Sequence, residues 1–334
     1  MSLGDNKKKN VFNENIEKIN LKEFEIGITF SKNNYGYIAL CKKITTKKIY
    51  IIKIYKKSII MRTKLTERIY NEYTNQLQIY HPFAVELYGI NTTHPKNLYF
   101  LFEYILGESL KLVIKRNKKI PLEYSRFYLA SVITVLDYLH KKNIIYRDLK
   151  PENIIINSKG YIKLSDFTFS KKLKNDFTYS MVGIPEYYSP EMINQTGHNK
   201  CIDFWQLGIL LYEMLVGNTP FIDSNPMKLF QNIQKGKIHF PKYINKNAKL
   251  IIKHFLIIDI NKRLGCTKKG IIEIIEEPFF KDFDWEKLLL RTLEPPFIPK
   301  VNKESYKFKE NIYNDNYEED DIEIPKEKDI FYNW

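Results

Sequence analysis

Two short segments of the sequence concentrate residue types that can do chemistry. The first runs from Tyr146 to Asn153 and contains Asp148 and Lys150, and the second begins with Asp166. Asn153 and Asp166 offer hard oxygen atoms, which are the ligands that Mg²⁺ requires. A carboxylate, an ammonium group and two oxygen ligands suit a reaction that depends on positioning and on neutralising negative charge.

The hydrophobic pattern predicts the elements that must position these segments. Strands are predicted at Lys22–Ile28, Tyr35–Lys42, Lys48–Tyr55 and Tyr99–Tyr104. Helices are predicted at Thr63–Ile79, Leu122–Leu139 and Cys201–Val216, and Phe12, Ile16 and Ile19 are spaced like one face of another helix. The sequence therefore predicts a small β-rich part, a larger helical part and a C-terminal tail rich in charged residues.

The order of the motifs closely resembles that of the eukaryotic protein kinases. After the segment 146–153 and Asp166-Phe167-Thr168 come four further motifs of the family, namely Pro185-Glu186-Tyr187, Ser189-Pro190-Glu191, Asp203-Phe204-Trp205 and Lys262-Arg263-Leu264. Any one triplet could arise by chance, but eight residues of catalytic loop followed by the other motifs in order could not.

Within the kinases, the chain is most similar to the AGC group, and in particular to catalytic subunits of cyclic-AMP-dependent kinases. The features that support this grouping are Tyr146 before Arg147, the spacing from Asn71-Glu72 to His81-Pro82-Phe83, the activation segment Val182–Tyr187, and a tail with Tyr317-Glu318-Glu319 and a terminal Phe331-x-x-Trp334. The resemblance covers about residues 22–334.

The resemblance implies an α+β fold, the bilobal protein kinase fold. It implies an N-terminal helical extension over residues 1–21, a β-rich small lobe over 22–103, a helical large lobe over 104–283 and an AGC-type extension over 284–334. In this family the terminal aromatic pair of the extension packs against the small lobe.

The resemblance also assigns catalytic roles, with ATP and Mg²⁺ as cofactors. Asp148 would accept the proton of the substrate hydroxyl, and Lys150 would neutralise the γ-phosphate during transfer. Lys53 would hold the α- and β-phosphates, and Glu72 would fix its direction. Asn153 and Asp166 would bind the metal. The residues implied to contact the nucleotide are Ser31, Asn33, Gly36, Ile38, Ile51, Lys53, Phe102, Glu103, Ile105, Glu152, Asn153, Ile155 and Asp166.

Further residues are assigned to substrate recognition, regulation and support. Glu152, Glu186 and Glu213 match acidic positions that read basic residues before the target hydroxyl, and Met181, Pro185 and Tyr188 would line a pocket for the residue after it. Ser180 matches the activating phosphorylation site, where Arg147, Lys171 and Arg68 could clamp a phosphate. Glu191 and Arg263 would form an ion pair, and Asp203 would hold the catalytic loop.

Several positions depart from the kinase pattern. The loop that covers the phosphates normally contains three glycines, but here only the third remains, as Gly36, while Ser31 and Asn33 replace the others. Glycine permits close backbone approach and positive φ, so a lower nucleotide affinity is expected. The other departures are Thr168 for glycine, Ile51 for alanine, Gln76 for leucine and Ile184 for threonine. At the position of an acidic residue that contacts ribose and a substrate arginine, either Ser109 replaces the acid or Glu108 reaches the position instead.

None of these departures removes a charged catalytic group, so the sequence predicts an active serine/threonine kinase. The first alternative is a pseudokinase that serves as a scaffold with weak or no catalysis. The second is a nucleic-acid-associated protein, suggested only by the net charge of +14 from 53 Lys and Arg against 39 Asp and Glu. Because no nucleic-acid-binding motif accompanies that charge, no nucleic-acid partner is expected.

Composition narrows the location and the partners. The chain has 334 residues and three widely spaced cysteines, which is typical of a protein in a reducing compartment. Its apolar runs are too short for a membrane span, so a cytoplasmic or nuclear protein is expected. The expected partners are protein substrates with basic residues before Ser or Thr and, by resemblance, a cyclic-nucleotide-binding regulatory subunit.

Overall fold

The computed structural model describes residues 16–300, 322–332 and 334, and these fall into two units. The first unit contains residues 16–80, 85–104, 322–332 and 334, and the second contains residues 81–84 and 105–300. The first is built on a β-sheet and the second is mostly helical, so the fold is α+β, as the sequence predicts.

Six strands form the sheet of the first unit. They are β1 (Glu17–Lys18), β2 (Phe24–Asn33), β3 (Gly36–Lys43), β4 (Ile49–Lys56), β5 (Leu87–Asn91) and β6 (Asn97–Glu103). Their order across the sheet is β1-β5-β6-β4-β3-β2, in which β1 pairs parallel to β5 and the other pairs are antiparallel. Two helices follow β4, α1 (Lys57–Arg62) and α2 (Thr66–Gln76).

Successive side chains of a strand point to opposite faces of the sheet, so residues two apart share a face. One face carries a cluster of buried side chains: Ile19, Tyr37, Ala39, Cys41, Ile52, Ile54, Tyr99 and Leu101. Ile51, Lys53 and Tyr55 alternate with the buried pair of β4 and therefore lie on the opposite face.

Two expectations for the N-terminal half differ from the structure. The helix predicted at Thr63–Ile79 is α2 (Thr66–Gln76), and it begins later than expected because Lys64 adopts a left-handed φ of 57°. The separate helix α1 (Lys57–Arg62) was not predicted. Ile19, assigned above to a helical face, packs in the sheet cluster beside the short strand β1. Of the helical extension expected over residues 1–21, residues 16–21 contain β1 and the first residue of a 3-10 turn instead, and residues 1–15 lie outside the described residues.

The second unit contains eight helices and five short strands among its described residues. The helices are α3 (Leu110–Asn117), α4 (Leu122–Lys141), α5 (Pro190–Ile193), α6 (Cys201–Val216), α7 (Pro226–Lys235), α8 (Lys246–Phe255), α9 (Ile271–Ile275) and α10 (Trp285–Leu290). The strands are β7 (Gly107–Ser109), β8 (Ile144–Ile145), β9 (Ile154–Asn157), β10 (Ile162–Leu164) and β11 (Lys171–Lys172).

Helix α6 is the central support of the second unit. Every residue from Cys201 to Leu215 is buried, as expected for a helix that is apolar on all sides. At the start of α6, Arg263 forms a bidentate ion pair with Glu191, with N–O distances of 2.6 and 2.9 Å. The ion pair implied by the resemblance is thus present. Within the described residues, no helix combines the length and apolar character that crossing a membrane requires.

The C-terminal segment packs within the first unit. Phe331 is fully buried, and the Trp334 ring stacks on Tyr73 with 5.7 Å between ring centroids. Asp329 accepts a hydrogen bond from the ammonium group of Lys57, which is itself fully buried. The terminal Phe-x-x-aromatic pattern therefore anchors the chain end on the helices that follow β4. The motif Tyr317-Glu318-Glu319 lies outside the described residues.

Candidate active site

A buried lysine–glutamate pair lies at the centre of the first unit. Lys53 on β4 donates a hydrogen bond to Glu72 on α2, with 2.7 Å between Nζ and Oε1. The hydroxyl of Tyr55 donates to the other oxygen of Glu72, also at 2.7 Å. Glu72 is fully buried and only 7% of Lys53 is exposed, so both charged ends are fixed in direction. The role of Tyr55 was not predicted, although Tyr55 lies two residues after Lys53 on β4 and therefore on the same face of the sheet.

Most of the side chains predicted to contact nucleotide in this unit share one face of the sheet. Lys53 on β4 pairs with Ile38 on β3, and Ile38 pairs in turn with Ser31 on β2. Strand partners lie on the same face. The residues that lie on this face are Ser31, Asn33, Gly36, Ile38, Ile51, Lys53 and Phe102. Glu103 ends β6 and pairs with Tyr50, on the opposite face.

The backbone explains why two glycines of the phosphate-covering loop can be replaced. Ser31 and Asn33 belong to the extended strand β2, a conformation open to any residue. Gly36 is different, because a Cβ atom there would lie 2.2 Å from the carbonyl oxygen of Ile54 on the adjacent strand. The retained glycine is the one that close packing against β4 requires.

In the second unit, Asp148 lies in a buried polar cluster. Its carboxylate oxygens accept hydrogen bonds from the Lys150 ammonium group at 2.9 and 2.8 Å. The amide nitrogen of Asn153 donates to Oδ2 and to the backbone carbonyl of Asp148, both at 2.8 Å. Burial raises the pKa of Asp148, and Lys150 and Asn153 offset this only in part, so the pKa lies above its ordinary value. The carboxylate is thus a better proton acceptor than an exposed aspartate.

Helix α6 fixes the backbone of the catalytic loop with two side chains. Asp203 accepts hydrogen bonds from the backbone N–H groups of Tyr146 and Arg147, at 3.0 and 2.8 Å. Gln206 accepts from the N–H of Leu149 at 3.1 Å and donates to the carbonyl of Arg147 at 3.2 Å. The resemblance implied the role of Asp203. It missed Gln206, which lies three residues further along the helix and hence on the same face.

The segment around Asp166 accommodates threonine in place of glycine. Asp166 itself has a left-handed φ of 54°, a strained conformation that is typical of functional sites. The Thr168 hydroxyl donates to Asp166 Oδ1 at 2.6 Å, so the replacement adds a bond that orients this carboxylate.

The donor atoms of Asn153 and Asp166 suit a magnesium ion. The two side-chain hydrogen bonds of Asn153 to Asp148 use its amide nitrogen, so the amide oxygen is the atom that would bind a metal. Together with the Asp166 carboxylate this gives two hard oxygen groups, the type that Mg²⁺ prefers.

Two further nucleotide-contact predictions in the second unit, Ile105 and Ile155, lie at the paired strands β7 and β9. Ile155 is on β9, where it pairs with Ser109 of β7, and Ile105 lies two residues before β7. Both side chains are half-buried.

Ser180 lies exposed beside a buried arginine. Arg147 Nη1 donates to the Ser180 hydroxyl at 2.8 Å, and Arg147 Nε donates to the carbonyl of Phe169 at 2.8 Å. Lys171 forms strand β11, which pairs with β8 just before Arg147 in the chain. Arg68, the third expected phosphate ligand, belongs to the first unit.

One of the carboxylates predicted to bind basic substrate residues, that of Glu213, is buried and already has hydrogen-bond partners. Glu213 accepts from the Tyr187 hydroxyl at 2.6 Å and from the Lys111 ammonium group at 2.9 Å. Burial raises the pKa of Tyr187 well above its usual value, and the nearby charges of Glu213, Glu152 and Glu186 raise it further. Lys111 is also 3.4 Å from Glu152, and Glu186 directly precedes Tyr187 in the chain, so the three carboxylates lie in one region of the second unit. The contacts of Lys111 with these carboxylates were not predicted from the sequence.

The chain belongs to the protein kinase family, because residues 29–280 match the sequence model of the protein kinase domain. The α+β fold described above agrees with this family. The family predicted from the sequence is therefore confirmed.

The relatives of known name refine this assignment. The human cAMP-dependent protein kinase catalytic subunit PRKX is 36% identical over 94% of this chain and 87% of its own length. The cAMP-dependent protein kinase catalytic subunit of Arthrobotrys oligospora is 36% identical over 85% of this chain. Catalytic subunit 3 from Drosophila melanogaster is 38% identical over 86% of it. The matches span only 54% and 49% of the fungal and fly proteins.

Proposed function

We propose that this chain is a protein serine/threonine kinase that transfers the γ-phosphoryl group of Mg-ATP to a hydroxyl group of a protein substrate. The observation that carries the proposal is the buried cluster of Asp148, Lys150 and Asn153. In this cluster, Asp148 supplies a carboxylate of raised pKa, Lys150 an ammonium group and Asn153 an amide oxygen for the metal. The buried Lys53–Glu72 pair supports the same reaction.

In the reaction, Asp148 accepts the proton of the substrate hydroxyl. The hydroxyl oxygen forms a bond to the γ-phosphorus, and the bond from that phosphorus to the oxygen of the β-phosphate breaks, so ADP leaves. Lys150 neutralises negative charge on the group in transfer, and Lys53 contacts the α- and β-phosphates. Asn153 and Asp166 would hold Mg²⁺, which when bound neutralises charge on the phosphate oxygens.

The substrates proposed for this kinase carry basic residues before the phosphorylated Ser or Thr. Glu152, Glu186 and Glu213 support this preference because Lys111 contacts both Glu152 and Glu213, and Glu213 accepts from Tyr187, the neighbour of Glu186. Phosphorylation of Ser180 is proposed as the activating event, because Arg147 can donate to the added phosphate. A cyclic-nucleotide-binding regulatory subunit is proposed as a partner from the names of the relatives, and a cytoplasmic or nuclear location stays a prediction.

The proposal is tested by phosphoryl transfer from Mg-ATP to a peptide containing Arg-Arg-x-Ser. Asp148→Asn should lower kcat at least about a hundredfold, because it removes the proton acceptor. The matched control is Asp137→Asn, which removes a carboxylate from a surface pair with Lys141 and should leave kcat within about twofold. Equal activity of the wild type and Asp148→Asn would refute the mechanism.

The alternative, a scaffold without catalysis, is separated by two readouts. The phosphorylation state of Ser180 is determined by mass spectrometry, and thermal stability is measured with and without Mg-ATP. A protein phosphorylated at Ser180 that gains stability with Mg-ATP and still transfers no phosphate would favour the scaffold. Transfer by the wild type excludes it.

A further inference from the structure

A lysine of the chain itself lies in the acidic region proposed to read basic substrate residues. Lys111 is on helix α3, and its Nζ is 2.9 Å from Glu213 Oε1 and 3.4 Å from Glu152 Oε1. Glu152 lies four residues after Asp148, in the 3-10 turn Pro151–Asn153. Lys111 therefore joins a carboxylate of α6 to one beside the catalytic loop.

The two carboxylates differ in how much water they contact. Only 3% of the Glu213 side chain is exposed, against 43% for Glu152. Glu213 receives one hydrogen bond on each oxygen, from Lys111 and from Tyr187. A buried carboxylate depends on its partners, because it has lost its hydration. Lys111 thus supplies the cation that Glu213 needs.

Charge and burial at Lys111 agree with this role. Burial lowers the pKa of Lys111, but the hydrogen bonds and charges of Glu213 and Glu152 outweigh it, so the pKa lies above the usual value. The ammonium group therefore stays charged at neutral pH. At the same time 45% of the side chain is exposed, so its flexible stem can move away from the carboxylates without disrupting the packed interior.

We propose that Lys111 is a specificity-determining residue that occupies the carboxylates of Glu152 and Glu213 and competes for them with a basic residue of the substrate. The inference rests on the proposed function. A substrate arginine must displace the Lys111 ammonium group, whereas an uncharged residue of similar length need not. The wild-type protein should therefore discriminate only weakly between arginine and an uncharged residue of similar length at the substrate position that contacts Glu213.

The test uses three peptides and three proteins. The peptides contain Arg-Arg-x-Ser, with both arginines or with either one replaced by norleucine, which keeps length but removes charge. The proteins are the wild type, Lys111→Met and the control Lys115→Met, which removes an exposed lysine from the same helix. Each arginine's discrimination factor is the ratio of kcat/KM between the parent peptide and its norleucine version. Lys111→Gln repeats the measurement with a polar, uncharged residue.

We expect Lys111→Met and Lys111→Gln to raise the discrimination factor of one arginine about tenfold. Lys115→Met should leave both factors within about twofold of the wild type. A rise of less than about threefold in both Lys111 variants, with circular dichroism showing that they are folded, overturns the inference.

A binding measurement separates this inference from the proposed function. The same peptides with alanine in place of the acceptor serine are titrated by fluorescence anisotropy, and the ratio of dissociation constants replaces the kinetic ratio. If the ratio of dissociation constants changes in the Lys111 variants while no protein transfers phosphate, the inference is sustained and the proposed catalysis is refuted. Transfer with a ratio that Lys111 does not affect refutes the inference alone. Absence of peptide binding to all variants also overturns it.

Discussion

The β2–β3 hairpin of the first unit and the catalytic loop of the second unit are held in different ways. In the hairpin, Ser31 and Asn33 lie in extended strand, and the fixed point is Gly36, which fits closely against the backbone of β4. In the catalytic loop, buried side chains of α6 hold the backbone, and Arg147 has a left-handed φ of 69°. Strained backbone of this kind persists only where its surroundings fix it.

The difference explains where the sequence can depart from the kinase pattern. A strand that uses ordinary backbone conformations accepts serine and asparagine in place of glycine. A loop whose N–H and carbonyl groups each need a buried partner accepts few changes, because every lost hydrogen bond leaves a desolvated group. The charged residues from 146 to 153 match the family accordingly, whereas the hairpin has lost two of the three glycines expected there.

The largest effect is expected from Gln206→Ala. It leaves the Leu149 N–H and the Arg147 carbonyl without their partner, which should lower the free energy of unfolding by roughly 1–3 kcal/mol for each group. Chemical denaturation measures this, and kcat should fall as well because the loop carries Asp148. Gln234→Ala, which removes an exposed hydrogen bond to Asn194, should cost at most about 0.5 kcal/mol. Equal effects of the two variants would contradict the account.

Gly36→Ala should have the next largest effect, because its new methyl group would lie 2.2 Å from the Ile54 carbonyl oxygen. The strands must separate, so we expect the free energy of unfolding to fall by about 1–3 kcal/mol. The control is Asn34→Ala, at an exposed position of the same hairpin turn. If Gly36→Ala were as stable as this control, close packing would not be the reason that the glycine remains.

Ser31→Gly should have the smallest effect, because the strand does not need a glycine at this position. Added backbone freedom should lower stability by about 0.5–1 kcal/mol. The KM for ATP should change by less than about threefold. Steady-state kinetics with varied Mg-ATP measures this, with Asn33→Gly as the parallel variant. A tenfold or greater fall in KM would instead show that the missing glycines limit nucleotide binding.

The sequence was sufficient where motifs are local and insufficient where partners come from distant segments. Asp148, Lys150 and Asn153 lie within six residues, so their shared cluster was predictable from the loop itself. The strand that carries Ile51 and Lys53 was predictable from its Ile and Tyr residues, which favour strands. Lys111 and Gln206 act through segments far away in the chain, and no local pattern marks such contacts. The late start of α2 after Lys64 was not predicted, because lysine has no preference for a left-handed φ.

The central claim is that the buried carboxylate of Asp148 accepts the proton during transfer. The most direct test is the single-turnover rate of phosphoryl transfer as a function of pH, for the wild type and Asp148→Asn with equal Ser180 phosphorylation. Only the ionised carboxylate can accept a proton, so the wild-type rate should fall as pH drops through the pKa of Asp148. Because this pKa is raised, the fall should begin above the pH at which an exposed aspartate titrates. Asp148→Asn should stay slow at every pH, and a variant that matched the wild-type rate and its acid limb would contradict the claim.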